Sequence, residues 1–310
     1  MLFIAHLEEI LYQAKKSFQT VMPEESFSIY NGKVKERHGH TIFASIYTLS
    51  MQRHLQAFDP EEFDLIIVDE FHHAAAESYQ RVLDYFKPEF LLGITATPDR
   101  NDNKDVYAIC GGNVAFRMDF LEAIQRSWLA PFKYFGVYDD TDYSQITWLG
   151  NRYDEKELLQ LQLRDEMAQK SIECVEGQKK KHVQLVSVHP LGKQIFFLTF
   201  FNQKGYRAIS LHSRQKDINR DDAISQLADG TLDIIFTVNL FNEGVDIPAV
   251  DTLLFVRPTE SLTVFTQQIG RGLRLHDSKE HCVIIDLIGN YRNADVKLSL
   301  FDTGLTSKKK

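Results

Sequence analysis

The chain of 310 residues is long enough for about two domains. Hydrophobic residues make up 44% of it and charged residues 25%, a globular balance that excludes a disordered or low-complexity polypeptide. The longest strongly apolar run, residues 195–201, is far shorter than the ~18–20 residues of a membrane span. The net charge of −8 excludes a basic footprint over the whole chain, so composition alone favours an enzyme without a nucleic-acid partner.

Cysteine usage and the N-terminal residues both indicate a cytoplasmic protein. Cys110, Cys174 and Cys282 are far apart and form no C-x-x-C pair, which is typical of free thiols in a reducing compartment. Residues 1–9 lack a basic segment and reach acidic side chains too early for a signal peptide. We therefore expect no membrane partner.

Apolar strands alternate with amphipathic helices along the first third of the chain. The predicted strands are residues 2–5, 41–46, 65–68 and 90–94, and the predicted helices are residues 7–18 and 74–86. Near-continuous apolar strands separated by helices predict a parallel sheet that is covered on both faces.

The alternation of strands and helices stops over residues 114–181, where two helical patterns precede a basic run. We interpret this segment as a helical connector between a first lobe (1–113) and a second lobe (182–310). The apolar residues 195–201 are compatible with a buried helix, a strand or a local disturbance of the reading frame. The alternation then returns, with predicted strands at 208–211, 233–238, 252–256 and 281–286 and a helix at 217–228.

Two adjacent carboxylates, Asp69 and Glu70, follow the apolar residues 65–68. Ligands of open α/β sheets bind at the carboxyl ends of the strands. Asp69 can hold Mg²⁺ there and Glu70 can orient or deprotonate a water, as in nucleotide hydrolysis. A solvated acidic turn is the alternative for this segment alone. A metal site built from His72 and His73 is disfavoured, since adjacent side chains do not converge on one ion.

Three further segments carry polar residues at the ends of predicted strands or on a helix. Residues 93–98 form a small hydroxyl-bearing turn before a proline, and residues 237–248 run from a strand into a glycine turn with one acid. Arg271 and Arg274 are three apart and can face the same way on one helical turn, where paired guanidiniums suit phosphate oxygens. A pair of surface arginines is the alternative.

These four segments, in this order, resemble motifs II, III, V and VI of the superfamily-2 DEAD/DEAH-box helicases and translocases. The similarity is to the bacterial branch of restriction-enzyme motor subunits and repair-type helicases, and it extends over nearly the whole chain. Residues 2–6 and 44–49 resemble motifs Ia and Ib of the same family. The resemblance implies an α/β fold of two RecA-like parallel-sheet lobes joined by a helical connector.

The resemblance also implies an ATP-dependent helicase or translocase that uses ATP and Mg²⁺. Asp69 and Glu70 would handle Mg²⁺ and the hydrolytic water. His72, Gly244 and Asp246 would take part in nucleotide binding.

Further roles follow from the resemblance for the remaining motif residues. Gln267, Arg271 and Arg274 would reach the phosphates as part of the catalytic set. Thr95 and Thr97 would couple the nucleotide state to closure of the lobes.

Nucleic acid, with DNA favoured over RNA, is the implied partner. Ser45 and Thr237 would help to hold its backbone. Nuclease or recognition domains, attached or separate, are further partners that the family admits.

The phosphate-binding loop G-x-x-x-x-G-K-[ST] of the family has no counterpart in these 310 residues. Neither Gly32-Lys33 nor Gly192-Lys193 has a Ser or Thr after the lysine. Because the motif-Ia resemblance begins near residue 3, we expect an incomplete first lobe and a chain that is ATPase-deficient by itself. A non-hydrolysing nucleic-acid-binding remnant and a decayed gene fragment are the alternatives.

Overall fold

The computed structural model describes residues 1–96, 106–139, 142–149, 154, 156–157, 165–176, 184–187, 191–211, 218–237, 248–256, 262–277 and 279–289. The chain divides into two compact units, Met1–Arg117 and Met118–Lys310. Among the described residues, no helix combines the length and the apolar character needed to cross a membrane.

The described part of the first unit is built on a parallel sheet with strand order β2-β3-β1-β4-β5. Its strands are β1 (Leu2–Ala5), β2 (Phe27–Tyr30), β3 (Thr41–Ser45), β4 (Leu65–Asp69) and β5 (Phe90–Ile94). Its helices are α1 (Glu8–Val21), α2 (Ile46–Leu49), α3 (Gln52–Leu55) and α4 (Glu77–Tyr85). Short 3-10 helices span Phe71–His73 and Ala108–Cys110.

Alternate residues of each central strand are buried on opposite faces of this sheet. Leu2 and Ile4 lie in one core cluster with α4, whereas Phe3 and Ala5 lie in another with α1. Successive side chains of a strand point to opposite faces, so a sheet covered on both sides needs apolar residues throughout. The near-continuous apolar strands in the sequence have this cause.

The described part of the second unit holds another parallel sheet, in the order β6-β11-β10-β7-β9-β8. Its strands are β6 (Phe132–Asp139), β7 (Gln184–Ser187), β8 (Ala208–Leu211), β9 (Ile234–Thr237), β10 (Thr252–Phe255) and β11 (Cys282–Gly289). Its helices are α5 (Phe120–Gln125), α6 (Asp165–Glu176), α7 (Leu191–Gln203), α8 (Arg220–Ala228) and α9 (Leu262–Gly272), and a 3-10 helix spans Tyr143–Gln145.

The two parallel sheets confirm the predicted α/β fold class. Strand β6 lies inside the segment predicted as a connector and pairs with β11 along its whole length, so that segment also contributes a strand to the second sheet. The bounds of the three predicted domains stay a prediction. The apolar residues 195–201 are helical, as part of α7. The helix predicted at 217–228 is α8, and Gly230 has a φ of +78° just after it, a conformation typical of the glycine that follows a helix.

Candidate active site

The acidic pair lies at the carboxyl end of β4 in the first unit. Asp69 is the last residue of the strand, and its Oδ1 accepts a hydrogen bond from the main-chain N–H of Glu70 at 2.9 Å. Glu70 itself is in the left-handed region, with φ 49° and ψ 51°. A non-glycine residue in this region costs of order 1 kcal/mol or more, and such residues cluster at functional sites. Glu70 therefore departs from the extended conformation of β4, and the strand ends at the acidic pair.

Phe71 and Gly93 hold this turn against β5. The Phe71 ring is buried, and the nearest of its carbons lies 2.4 Å from where a Cβ on Gly93 would stand. Only glycine leaves room for the ring at this position. The turn that carries Glu70 is thus fixed by the absence of a side chain on the neighbouring strand.

His72 connects the acidic turn to the end of β5. Its Nδ1 lies 3.1 Å from Oγ1 of Thr95, with hydrogen-bonding geometry, and 3.2 Å from Oε2 of Glu70. Depending on the ring tautomer, Nδ1 accepts from the threonine hydroxyl or donates. The contact joins the segment predicted as motif II to the one predicted as motif III. Thr97 lies outside the described residues.

Two further histidines lie at the same edge and were not assigned a role from the sequence. His6 follows β1, and its ring centroid is 4.9 Å from that of His73, which is 4.1 Å from that of His72. The strand ends of β1, β4 and β5 therefore converge here. The sequence indicates that these strand ends share one edge of a parallel sheet, but it does not indicate that β1 and β4 are neighbours.

The donor set at this edge fits a hard cation held together with phosphates. Mg²⁺ binds through one or two carboxylates and substrate phosphates rather than through an all-protein cage. The Asp69 carboxylate lies at the sheet edge and is oriented by the Glu70 N–H. No group of three or more His, Cys, Asp and Glu side chains within the described residues could hold a metal ion by itself. The Mg²⁺ site at Asp69 stays a prediction.

The predicted nucleic-acid contacts are at the carboxyl ends of two other strands. Ser45 ends β3, is buried and precedes α2 as its N-cap. Thr237 ends β9 in the second unit and is buried as well. Each hydroxyl thus lies at a strand end, where ligands of open α/β sheets bind.

The helix predicted to carry the phosphate contacts is α9. Gln267 and Arg271 are four residues apart and share one face of it, and both are partly buried. Within the described residues, the buried Nε2 of Gln267 has no hydrogen-bond partner. A buried donor of this kind is costly unless a ligand satisfies it. The side chain therefore fits an oxygen-rich ligand such as a phosphate.

Arg274 requires a correction. Because α9 ends at Gly272, Arg274 lies beyond the helix and is exposed, so it does not share a helical turn with Arg271. Gly272 lies so close to the sheet that a Cβ there would be 2.7 Å from Cδ1 of Leu253. The glycine ends the helix against β10, and the chain then turns away. Gly244 and Asp246 lie outside the described residues.

The described residues define an α/β protein of two parallel-sheet units, with polar side chains at the carboxyl ends of several strands. Comparison with protein families matches residues 1–100 to the restriction-enzyme family described as "Type III restriction enzyme, res subunit". It matches residues 155–276 to the "Helicase conserved C-terminal domain". The two matches follow one another along the chain, in the order of the two units.

Individual relatives agree with these family matches. The "Putative ATP-dependent helicase IRC3" of Saccharomyces cerevisiae is 31% identical over 310 aligned positions, covering 93% of this chain and 43% of that protein. The "DNA 3'-5' translocase XPB2" of Sulfurisphaera tokodaii is 25% identical and matches 77% of this chain and 61% of its own length. A fragment of a putative HsdR subunit of a type I restriction enzyme from Vibrio vulnificus shares the fold, with a TM-score of 0.70, 24% identity and coverage of 92% of this chain and 52% of that one.

The chain belongs to the superfamily-2 helicases, in the group related to restriction-enzyme motor subunits and repair helicases. Two of its relatives are named as ATP-dependent helicases. It spans about half the length of the curated yeast relatives it matches, 43% of one and 51% of the other.

Proposed function

We propose that this chain is the motor part of an ATP-dependent translocase or helicase that acts on DNA. The observation that carries the proposal is the acidic turn at the end of β4, where Glu70 lies beside His72 and His72 contacts Thr95. DNA is favoured over RNA because sequence relatives are named as a DNA 3'-5' translocase and as a putative DNA 3'-5' helicase. A cytoplasmic location remains a prediction, and a Schizosaccharomyces pombe relative is named as a mitochondrial helicase.

Each residue of the acidic turn has a defined part in this proposal. Asp69 ligates Mg²⁺, which when bound neutralises charge on the phosphates. Glu70, held in its left-handed conformation, orients the attacking water and accepts its proton. His72 transmits the position of Glu70 to Thr95 through the contacts of 3.2 Å and 3.1 Å. Loss or gain of a phosphate near Glu70 thereby changes the position of Thr95 at the end of β5.

The remaining predicted residues bind the two substrates. Gln267 and Arg271, on one face of α9, contact phosphate oxygens, and Arg274 does so from the turn that follows. Guanidiniums suit this role because they bind phosphate oxygens in pairs. Ser45 and Thr237 hold the nucleic-acid backbone from the strand ends, together with nucleotide contacts from Gly244 and Asp246.

ATP turnover by these 310 residues alone is not part of the proposal. The sequence has no G-x-x-x-x-G-K-[ST] loop, whose backbone N–H groups and lysine cradle the β and γ phosphates. We propose that these groups come from residues outside this chain. A non-hydrolysing nucleic-acid-binding role is the alternative.

The test measures ATP hydrolysis with and without DNA, for the 310-residue chain and for a protein that supplies the phosphate-binding loop. Glu70→Gln is expected to lower DNA-stimulated hydrolysis by the loop-bearing protein by about 10²-fold or more, the scale of a lost general base. Glu77→Gln is the matched control, since Glu77 is exposed in the first turn of α4.

Three outcomes separate the candidates. Hydrolysis by the 310 residues alone that Glu70→Gln abolishes would refute the need for an outside loop. Equal rates for Glu70→Gln and wild type would refute the role of the acidic turn. DNA binding whose salt dependence is the same with and without ATP, with no hydrolysis by either protein, would favour the non-hydrolysing candidate.

A further inference from the structure

Lys279 is a buried lysine with three main-chain partners. It is 9% exposed, and its Nζ donates to the carbonyl oxygens of Pro248 at 2.7 Å, Val250 at 2.9 Å and Gly272 at 2.9 Å. An ammonium group has three donors, and the three carbonyls use all of them. A charge is buried at low cost only when it is hydrogen-bonded in this way.

The three carbonyls belong to two segments that carry predicted site residues. Gly272 is the last residue of α9, the helix that bears Gln267 and Arg271. Its carbonyl is among those that lack a partner within the helix, at the end of the helix where a positive charge is favoured. Pro248 and Val250 lie just before strand β10 and follow residues 238–247, which the sequence predicts to contain a glycine turn. The Lys279 ammonium group therefore links the end of α9 to the residues before β10 through hydrogen bonds.

The end of α9 is also held from other directions. A Cβ on Gly272 would stand 2.7 Å from Leu253 Cδ1 and 2.9 Å from Cys282 Sγ, so the helix backbone lies directly against β10 and β11. The carbonyl of Leu273 accepts a hydrogen bond from the N–H of Ala130 at 2.7 Å. The helix end thus has one defined position, and Lys279 is the charged member of the group that defines it.

We propose that Lys279 is a positioning residue for phosphate binding. It holds the C-terminal end of α9 in a fixed relation to the chain leaving the glycine turn, so that Arg271 keeps the position from which it contacts phosphate. The phosphate role of Arg271 rests on the proposed function, whereas the positioning of α9 does not. Without the ammonium group, three carbonyls lose this donor at once, and two of these contacts are buried.

The test uses Lys279→Met, which keeps the length of the side chain and removes its donors. Hydrogen–deuterium exchange is measured by mass spectrometry on peptides covering residues 248–256 and 262–277. We expect exchange to rise in both segments together, by about tenfold or more, the scale of one lost hydrogen bond to a charged group. Lys133→Met is the matched control, since Lys133 is exposed on β6, and it is expected to change neither segment.

A second control separates positioning from stability. Phe201 is buried in a core cluster that also contains Leu254 and Val256 of the first segment, whereas Ile269 of α9 lies in a different cluster of the same unit. Phe201→Leu is therefore expected to lower the melting temperature of this unit without raising exchange selectively in residues 262–277. If it raises their exchange as much as Lys279→Met does at an equal loss of melting temperature, Lys279 is merely structural and the proposal is overturned.

The ratio of the affinities for ATP and ADP distinguishes positioning from stability, because a variant that only lowers stability leaves this ratio unchanged. The probes are fluorescent ADP and a fluorescent ATP analogue with a non-hydrolysable β,γ bridge. Lys279→Met is expected to reduce the preference for the triphosphate, and Phe201→Leu to retain it. Unchanged exchange, or raised exchange with an unchanged preference, overturns the proposal. Because the phosphate-binding loop lies outside these residues, the probes are titrated into the loop-bearing protein. If its wild type binds neither probe, the proposed function fails, and the exchange comparison alone decides the role of Lys279.

Discussion

Gly93→Ala tests how the acidic turn is held in place. The added Cβ would stand 2.4 Å from Cγ of Phe71 and 2.6 Å from each of its Cδ atoms, whereas ordinary contact begins near 3.4 Å. The ring must therefore retreat by about 1 Å, from 2.4 to 3.4 Å. Phe71 is 4% exposed and packs in the core cluster of the first unit, so its neighbours must move as well.

Overpacking of this kind costs about 1–3 kcal/mol of the free energy of unfolding. Phe71 lies between Glu70 and His72, so the same displacement moves both site residues. We expect Gly93→Ala to destabilise the first unit by that amount and to lower DNA-stimulated ATP hydrolysis in a loop-bearing protein. Gly32→Ala is the matched control, because nothing lies within 4 Å of a Cβ at that position.

The assay is urea denaturation followed by two signals. Trp128 and Trp148 are the two tryptophans of the chain, and both lie in the second unit. Far-UV circular dichroism reports on helices and strands of both units. Gly93→Ala is expected to shift the dichroism transition to lower urea while the tryptophan fluorescence transition stays in place.

A double variant makes the reasoning refutable. Phe71→Ala removes the Cγ and Cδ atoms that the new Cβ meets, so Gly93→Ala is expected to cost less in that background than in the wild type. Additive losses, or a Gly93→Ala protein as stable as the wild type, would show that the contact between the two positions does not determine the conformation of the turn.

Two further predictions concern Glu70 and the thiol of Cys282. Glu70→Gly is expected to raise the free energy of unfolding by up to about 1 kcal/mol, because the φ of 49° suits glycine, and to abolish hydrolysis. Ser127→Gly, at a φ of 58°, is expected to stabilise the protein similarly and to leave hydrolysis unchanged. A loss of stability in either variant would contradict backbone strain at that residue. Burial raises the pKa of Cys282 to about 12. At pH 8.5 we therefore expect iodoacetamide to alkylate this thiol only after denaturation. Labelling of Cys282 in the native protein, measured by mass spectrometry, would refute its burial.

Much of the sheet architecture could be predicted from local pattern. The predicted strands at residues 2–5, 90–94 and 208–211 coincide with β1, β5 and β8. A strand in a parallel sheet buries both faces, so its hydrophobic signal is continuous and independent of the register with its neighbours. The acidic pair at the end of β4 was recognisable for the same reason, because the strand before it is clear.

Other features depended on contacts between distant residues. The apolar residues 195–201 gave no periodicity, and the choice of helix follows from Phe197 and Phe201, which are four apart and pack on Phe236 of β9. The closeness of His6 to His73 needs β1 and β4 to be neighbours, which no local pattern reveals.

The sequence by itself determined the fold class, the family and the residue types available for phosphate, cation and nucleic-acid contacts, because these follow from patterns along the chain. Only the tertiary structure decided where those residues lie. Gly93 and Gly272 each leave space for an atom from a distant part of the chain, and Lys279 satisfies carbonyls up to 31 positions away. Steric fit and hydrogen bonding between such segments depend on three-dimensional proximity, and they set the turn at Glu70 and the end of α9.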